Sequence, residues 1–202
     1  MIKNDAMFKL SYGLFILSAH ENGNDNACII NTACQVTSDP KKITIAVNKN
    51  NYTCGMIERT GKFTVSVLST EATFDLIKRF GFSSGKDTNK FDGFKDHYAT
   101  ENGTHFVCVG TNAYISCTVT DIVDCGTHLL FISEVTEAET LSDVPSATYQ
   151  YYFDHIKPKA EQTKKKGYVC KICGYVYEGD ELPEDFICPL CKHGAEDFEP
   201  IA

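Results

Sequence analysis

A chain of 202 residues that is 43% hydrophobic and 11% aromatic has the apolar content for one or two packed cores, which excludes an intrinsically disordered protein. Its net charge of −8 excludes a nucleic-acid binder, because phosphate binding needs clustered Lys and Arg. No apolar run approaches the ~20 residues that cross a bilayer, and the run at 13–17 is too short for a signal-peptide core, so the expected location is the cytoplasm and no membrane partner is expected.

In chain order, most of the pattern is strand. Residues 13–20 alternate loosely and end in a polar cluster containing Asn22-Gly23, a hairpin signal. Residues 27–36 read as the returning strand, 42–47 as a third, 62–68 as a fourth and 105–109 as a fifth. A long pair follows at 114–123 and 128–135, on either side of Asp124-Cys125-Gly126-Thr127. Short helices fit 52–59 and 71–79, and 81–103 is polar and irregular. Many strands separated by turn signals predict a closed or nearly closed antiparallel barrel.

The pattern breaks at 157–167, which holds five lysines, one glutamate and no apolar residue larger than alanine apart from one proline. Such a segment has little to bury and reads as a solvated linker with a span of roughly 18 Å. The expected domains are therefore 1–156 and 168–202. The second carries eight acids against two lysines.

Four of the ten cysteines lie in that second domain, as Cys170-x2-Cys173 and Cys188-x2-Cys191 with fourteen residues between the pairs. Each tight loop presents two sulfurs to one ion, and two facing loops make a tetrahedral four-thiolate cage. The spacing predicts a metal and leaves zinc and iron open. The other six, Cys28, Cys34, Cys54, Cys108, Cys117 and Cys125, are irregularly spaced and read as reduced thiols, most of them small core residues. His20, His97, His105, His155 and His193 show no metal-ligand spacing and are expected to be structural or exposed.

The runs YVCKICGYVY (168–177) and DFICPLC (185–191), with Gly194, Asp197 and Phe198, resemble rubredoxin over the whole second domain. The short loop between the pairs is closer to the rubredoxin-like domain of rubrerythrins. Phe186 stands where tryptophan is usual, and Lys192 where glycine is. The resemblance implies one iron on Cys170, Cys173, Cys188 and Cys191. Gly174 would let backbone amides face the sulfurs, and Tyr175, Tyr177, Phe186 and Phe198 would form an aromatic core.

In the larger domain, CIINTACQVTSDPKKITIAV (28–47), the following Asn48 to Thr53, FGFSSGKD (80–87), DTNKF (87–91) and GTHLLFISEV (126–135) together resemble the FMN-binding split-barrel family of flavin reductases and flavoredoxins. The fold expected is thus mainly β: a split barrel plus a small four-cysteine iron domain. Asn31, Thr32, Gln35 and Thr37 offer polar groups for a flavin ring edge. Asn48, Lys49, Asn51, Tyr52 and Thr53 stand at a helix start suited to its phosphate. In related reductases a histidine at the place of His128 lies near the flavin and nicotinamide.

A flavin accepts electrons in pairs and releases them singly, whereas a four-thiolate iron carries one. The resemblance therefore implies electron transfer from NAD(P)H through FMN to iron and on to a protein such as a flavodiiron oxygen or nitric-oxide reductase. In that family the flavin site lies near a dimer interface, which implies a homodimer. Two alternatives stay open: an electron carrier reduced by another protein, and an FMN-barrel binding protein with a structural zinc ribbon.

Overall fold

The computed structural model of the protein describes residues 6, 9–158, 167–172, 175–188 and 193–201. The chain divides into two compact units, Met1–Lys157 and Pro158–Ala202. Most of the segment read as a linker lies outside the described residues.

The first unit begins with a hairpin. β1 (Phe15–Glu21) and β2 (Asn24–Ile30) are antiparallel, joined by Asn22 and Gly23 with φ of 51° and 78°. Two consecutive positive φ angles match the right-handed strand twist, and Asn-Gly tolerates them well. β3 (Cys34–Ser38) and β4 (Lys41–Asn48) follow, then α1 (Tyr52–Thr60) and β5 (Lys62–Leu68). After α2 (Phe74–Gly81) come β6 (His97–Ala99) and β7 (His105–Val107), which pair only with each other. Two long strands, β8 (Thr111–Asp124) and β9 (His128–Thr140), and a short helix, α3 (Tyr149–Tyr151) with wider π-type turns over Tyr152–Ile156, complete the unit.

Seven strands form one sheet in the order β2-β1-β5-β8-β9-β4-β3. It curls so that Cys28 and Ile30 near one edge share a core with Ile43, Ile45 and Val47 near the other. Cys54, Met56 and Ile57 of α1 complete that core. The edge strands are not bonded to each other, so the barrel is split. A second core lies on the outer face of β1 and β2, where Ile16 and Ala27 meet Leu76, Ile77 and Phe80 of α2, with Phe91 and Tyr152. β1 is buried on both faces, which explains its nearly continuous apolar sequence.

Three sequence expectations need correction. Residues 27–36 are not one strand: Asn31 to Ala33 carry the chain from one edge of the sheet to the other. The Thr32 hydroxyl donates to the Ala46 carbonyl at 2.7 Å and fixes the crossing against β4. The 105–109 strand is β7, outside the main sheet, with β6 as its partner inside the stretch read as irregular. The second helix starts at Phe74 because Thr73 caps it, its hydroxyl accepting from the Leu76 amide at 3.2 Å.

The second unit holds a three-stranded sheet, β11-β10-β12, from β10 (Tyr168–Cys170), β11 (Val176–Tyr177) and β12 (Phe198–Pro200). Phe186 packs edge-on to Phe198 at 5.3 Å and against Tyr177 at 4.8 Å. This aromatic cluster is the core expected from the sequence.

Candidate cofactor and metal sites

One polar focus of the first unit is the start of α1. Asn51 caps the helix, its side chain accepting from the Thr53 amide at 3.2 Å. The Thr53 hydroxyl is fully buried and accepts from Asn26 Nδ2 at 2.8 Å. Burial pushes the Cys28 thiol up, opposed by Thr53, Lys90 and Asn51 nearby.

The loop after α2 reaches the same place. A Cβ on Gly85 would stand 2.2 Å from Asn26 Oδ1, so only glycine lets the loop backbone approach so closely. Asn26 Oδ1 is buried with no hydrogen-bond partner. Lys90 lies beneath, 4% exposed, its ammonium donating to the Ala27 and Phe80 carbonyls at 2.8 Å each. Burial lowers its pKa. Three stretches distant in sequence, at β2, α1 and 80–90, thus converge on one helix start, where the helix dipole suits an anion, while the Asn51, Thr53 and Cys54 amides already donate to the Asn48 carbonyl, the Asn51 side chain and the Asn51 carbonyl. These residues fit the phosphate end of a flavin nucleotide.

Asn48 and His128 are register partners in the β4–β9 ladder, and the Lys49 amide donates to the Thr127 carbonyl at 3.0 Å. The tip of the β8–β9 hairpin is thereby held beside the loop before α1. Lys49 Nζ lies 2.6 Å from Asp124 Oδ1. This contact, followed by the Gly126 amide, holds the Asp124 carboxyl below its usual range. His128 Nδ1 is 2.9 Å from the Thr127 hydroxyl.

The remaining predicted ring-edge residues stand apart. Gln35 lines a cavity of about 300 Å³ with Phe15, Ala33, Ile43, Val65 and Ile115, and no lining residue comes from α1. Thr37 donates to the Pro40 carbonyl at 2.5 Å and closes the β3–β4 turn. Asn31 is half-buried, in the crossing segment with Thr32. The structure therefore brings together Asn48, Lys49, Asn51, Tyr52, Thr53 and His128, while Gln35 and Thr37 lie along the exposed edge strand. Sequence reasoning gave no role to Asn26 or Lys90. Asn26 looked like part of a turn cluster, and Lys90 entered only as one residue of the DTNKF run.

In the second unit Cys170 and Cys188 are both fully buried. Each begins a loop closed the same way: the Cys170 amide donates to the Tyr175 carbonyl and the Cys188 amide to the His193 carbonyl, both at 2.8 Å. Two equivalent five-residue closures, each headed by a buried thiol, are what a two-loop thiolate cage requires. Buried thiolates need a compensating cation, and the donor set fits iron or zinc. Cys173 and Cys191, with Gly174 and Lys192, lie outside the described residues.

Comparison with known proteins gives each unit a family. Residues 7–160 match the flavin reductase like domain, and residues 168–199 match the rubrerythrin, rubredoxin-like domain. The chain belongs to the flavin reductase-like family and carries a C-terminal rubredoxin-like domain. It is 35% identical to the high molecular weight rubredoxin of Moorella thermoacetica, over 97% of this chain and 98% of that protein. It is 37% identical to a ferric-chelate reductase (NAD(P)H) of Archaeoglobus fulgidus, over 79% of this chain and 94% of that one. A flavoredoxin structure from Methanosarcina acetivorans superposes with a TM-score of 0.59 at 22% identity, over 69% of this chain and 74% of that one. That likeness confirms the split-barrel fold. No helix among the described residues is long and apolar enough to cross a membrane.

Proposed function

We propose that this chain is an oxidoreductase that passes electrons from NAD(P)H through FMN to one iron, and from there to a redox partner protein such as a flavodiiron oxygen or nitric-oxide reductase. The observation that carries this reading is the joining, in one chain, of a flavin reductase-like barrel to a domain whose buried Cys170 and Cys188 head two matched loops. Bound flavin and iron together supply conversion of paired electrons into single ones.

The chain's own residues serve that conversion in distinct ways. The α1 start, with Asn51 and Thr53, offers the positive end of its dipole to the FMN phosphate, and Lys49 supplies a cation beside it. Asn31, Thr32, Gln35 and Thr37 are the residues proposed for the ring edge. His128, opposite Asn48 in the ladder, is proposed to stand near the nicotinamide. Cys170, Cys173, Cys188 and Cys191 hold the iron. Residues 157–167 act as a solvated linker between 1–156 and 168–202, and the protein works as a cytoplasmic homodimer.

An anaerobic absorbance titration tests the reading. NADH or NADPH should bleach the flavin band and then the iron–thiolate band, with about one iron per chain by elemental analysis. If dithionite bleaches both bands and neither nicotinamide does, the protein is a carrier reduced by another protein. Zinc in material from the native source would end the proposal at its metal step.

A further inference from the structure

A cluster at the tip of the β1–β2 hairpin lies outside both proposed cofactor sites. The Asn22-Gly23 turn sets the register so that His20 faces Asp25. β7 lies against β1 and brings in His105, 80 residues further along the chain. His20 Nδ1 is 2.7 Å and His105 Nδ1 2.9 Å from the same carboxylate oxygen, Asp25 Oδ1. One ring nitrogen from each histidine and a carboxylate oxygen of Asp25 all lie within 4.8 Å of one another.

Hydrogen bonding alone does not account for this convergence. The His20 contact has the geometry of a hydrogen bond. The His105 contact does not, and His105 Nδ1 is buried without a hydrogen-bond partner. A buried ring nitrogen in that state is costly unless something else meets its lone pair. The ring is also held in place: His105 packs edge-on to His97 at 5.1 Å, and His97 stacks on Phe94 at 6.0 Å.

We propose that His20, Asp25 and His105 form a binding site for one divalent transition-metal cation. Two imidazole nitrogens and one carboxylate oxygen are the ligand types that zinc and its neighbours take, with solvent completing the shell. At metal–ligand distances of ~2.0–2.1 Å, tetrahedral ligands stand about 3.3 Å apart. The two histidines must therefore draw back from Asp25 by about half an ångström. Their side chains, 35% and 20% exposed, have room to do so. A proton on His20 Nδ1 must leave when the metal takes that lone pair, moving to Nε2 of a neutral ring or to solvent from a protonated one. One ion would then tie the β1–β2 hairpin to the β6–β7 hairpin.

The test uses the full-length protein with its four-cysteine site already filled with iron, so that added zinc reports other sites. Equilibrium dialysis against zinc, followed by elemental analysis, should give about one zinc per chain beyond the retained iron, one ion per three-ligand set. His105→Gln and Asp25→Asn should each weaken that binding at least about a hundredfold, beyond the ~10–100-fold that loss of an outer-shell partner brings. His20→Gln, at the most exposed ligand, serves as a third variant if either of those folds poorly. Flavin and iron contents report folding in all three. Wild-type protein that takes up no zinc beyond its iron overturns the proposal. So does zinc uptake that is the same in folded variants as in wild type.

Discussion

If the flavin phosphate sits at the α1 start, it competes with Asp124 for the Lys49 ammonium. The Asp124 carboxylate holds that ammonium at 2.6 Å, yet both side chains are substantially exposed, so water screens the pair and it holds weakly. A phosphate at the α1 start brings more charge and the helix dipole as well. Lys49→Ala should therefore weaken FMN binding by roughly tenfold to a hundredfold, as loss of ~1.5–3 kcal/mol implies. Binding of riboflavin, which lacks the phosphate, should not change. Asp124→Asn should tighten FMN a few-fold by removing the competitor. Fluorescence titration with both flavins checks this, and an unchanged FMN-to-riboflavin ratio in Lys49→Ala places the phosphate elsewhere. Lys49 was legible because it precedes a helix signal. Asp124, 75 residues away, and the buried Asn26 contact were not, since long-range register decides them.

The elements were legible where a local signal fixed them. Asn-Gly marked the first turn, and Lys62–Leu68 appears as read. The split of 27–36 into two strands escaped notice because Ala33 and Cys34 continue the same extended pattern. Only the crossing between sheet edges, tied by Thr32 to Ala46, separates them. The inward faces also explain the scattered cysteines. Cys28 of β2, Cys54 of α1 and Cys117 of β8 all lie in one core, whereas Cys34 and Cys125 are exposed. Burial pushes the Cys117 thiol up to about 12 from 9.0. The folded chain thus keeps a proton that the unfolded chain releases above pH ~9. This contribution to stability is fully present below pH ~9 and is lost as pH rises toward about 12. In Cys117→Ala the fall in stability across that window should be shallower by up to about 1.4 kcal/mol per pH unit. Urea unfolding followed by far-UV circular dichroism at pH 9, 10 and 11 measures the slope. Equal slopes would mean that Cys117 ionises alike in both states.

Across the whole molecule, the two units keep separate cores. Both apolar clusters of the first unit lie within 1–157, and the second unit has its own aromatic cluster around Phe186. Removing the metal from one should therefore leave the other folded. Cys188→Ala deletes a buried thiol, one of the four proposed ligands, and three thiolates cannot complete a four-sulfur cage. The variant should lose its iron yet bind FMN with wild-type affinity. If electrons cross the flavin and iron in series, it should still oxidise NAD(P)H with a small artificial acceptor that reaches the flavin directly. Transfer to a protein acceptor should fall by at least about tenfold, the change that 1.4 kcal/mol in the barrier brings. The acidic 168–202 segment, with eight carboxylates against two lysines, is then the surface such a partner meets, and raising the salt concentration should slow the wild-type reaction. Stopped-flow kinetics with both acceptors separate the alternatives. Wild-type transfer to the protein acceptor without iron would show that the flavin reduces it directly and that the four-cysteine domain lies off the electron path.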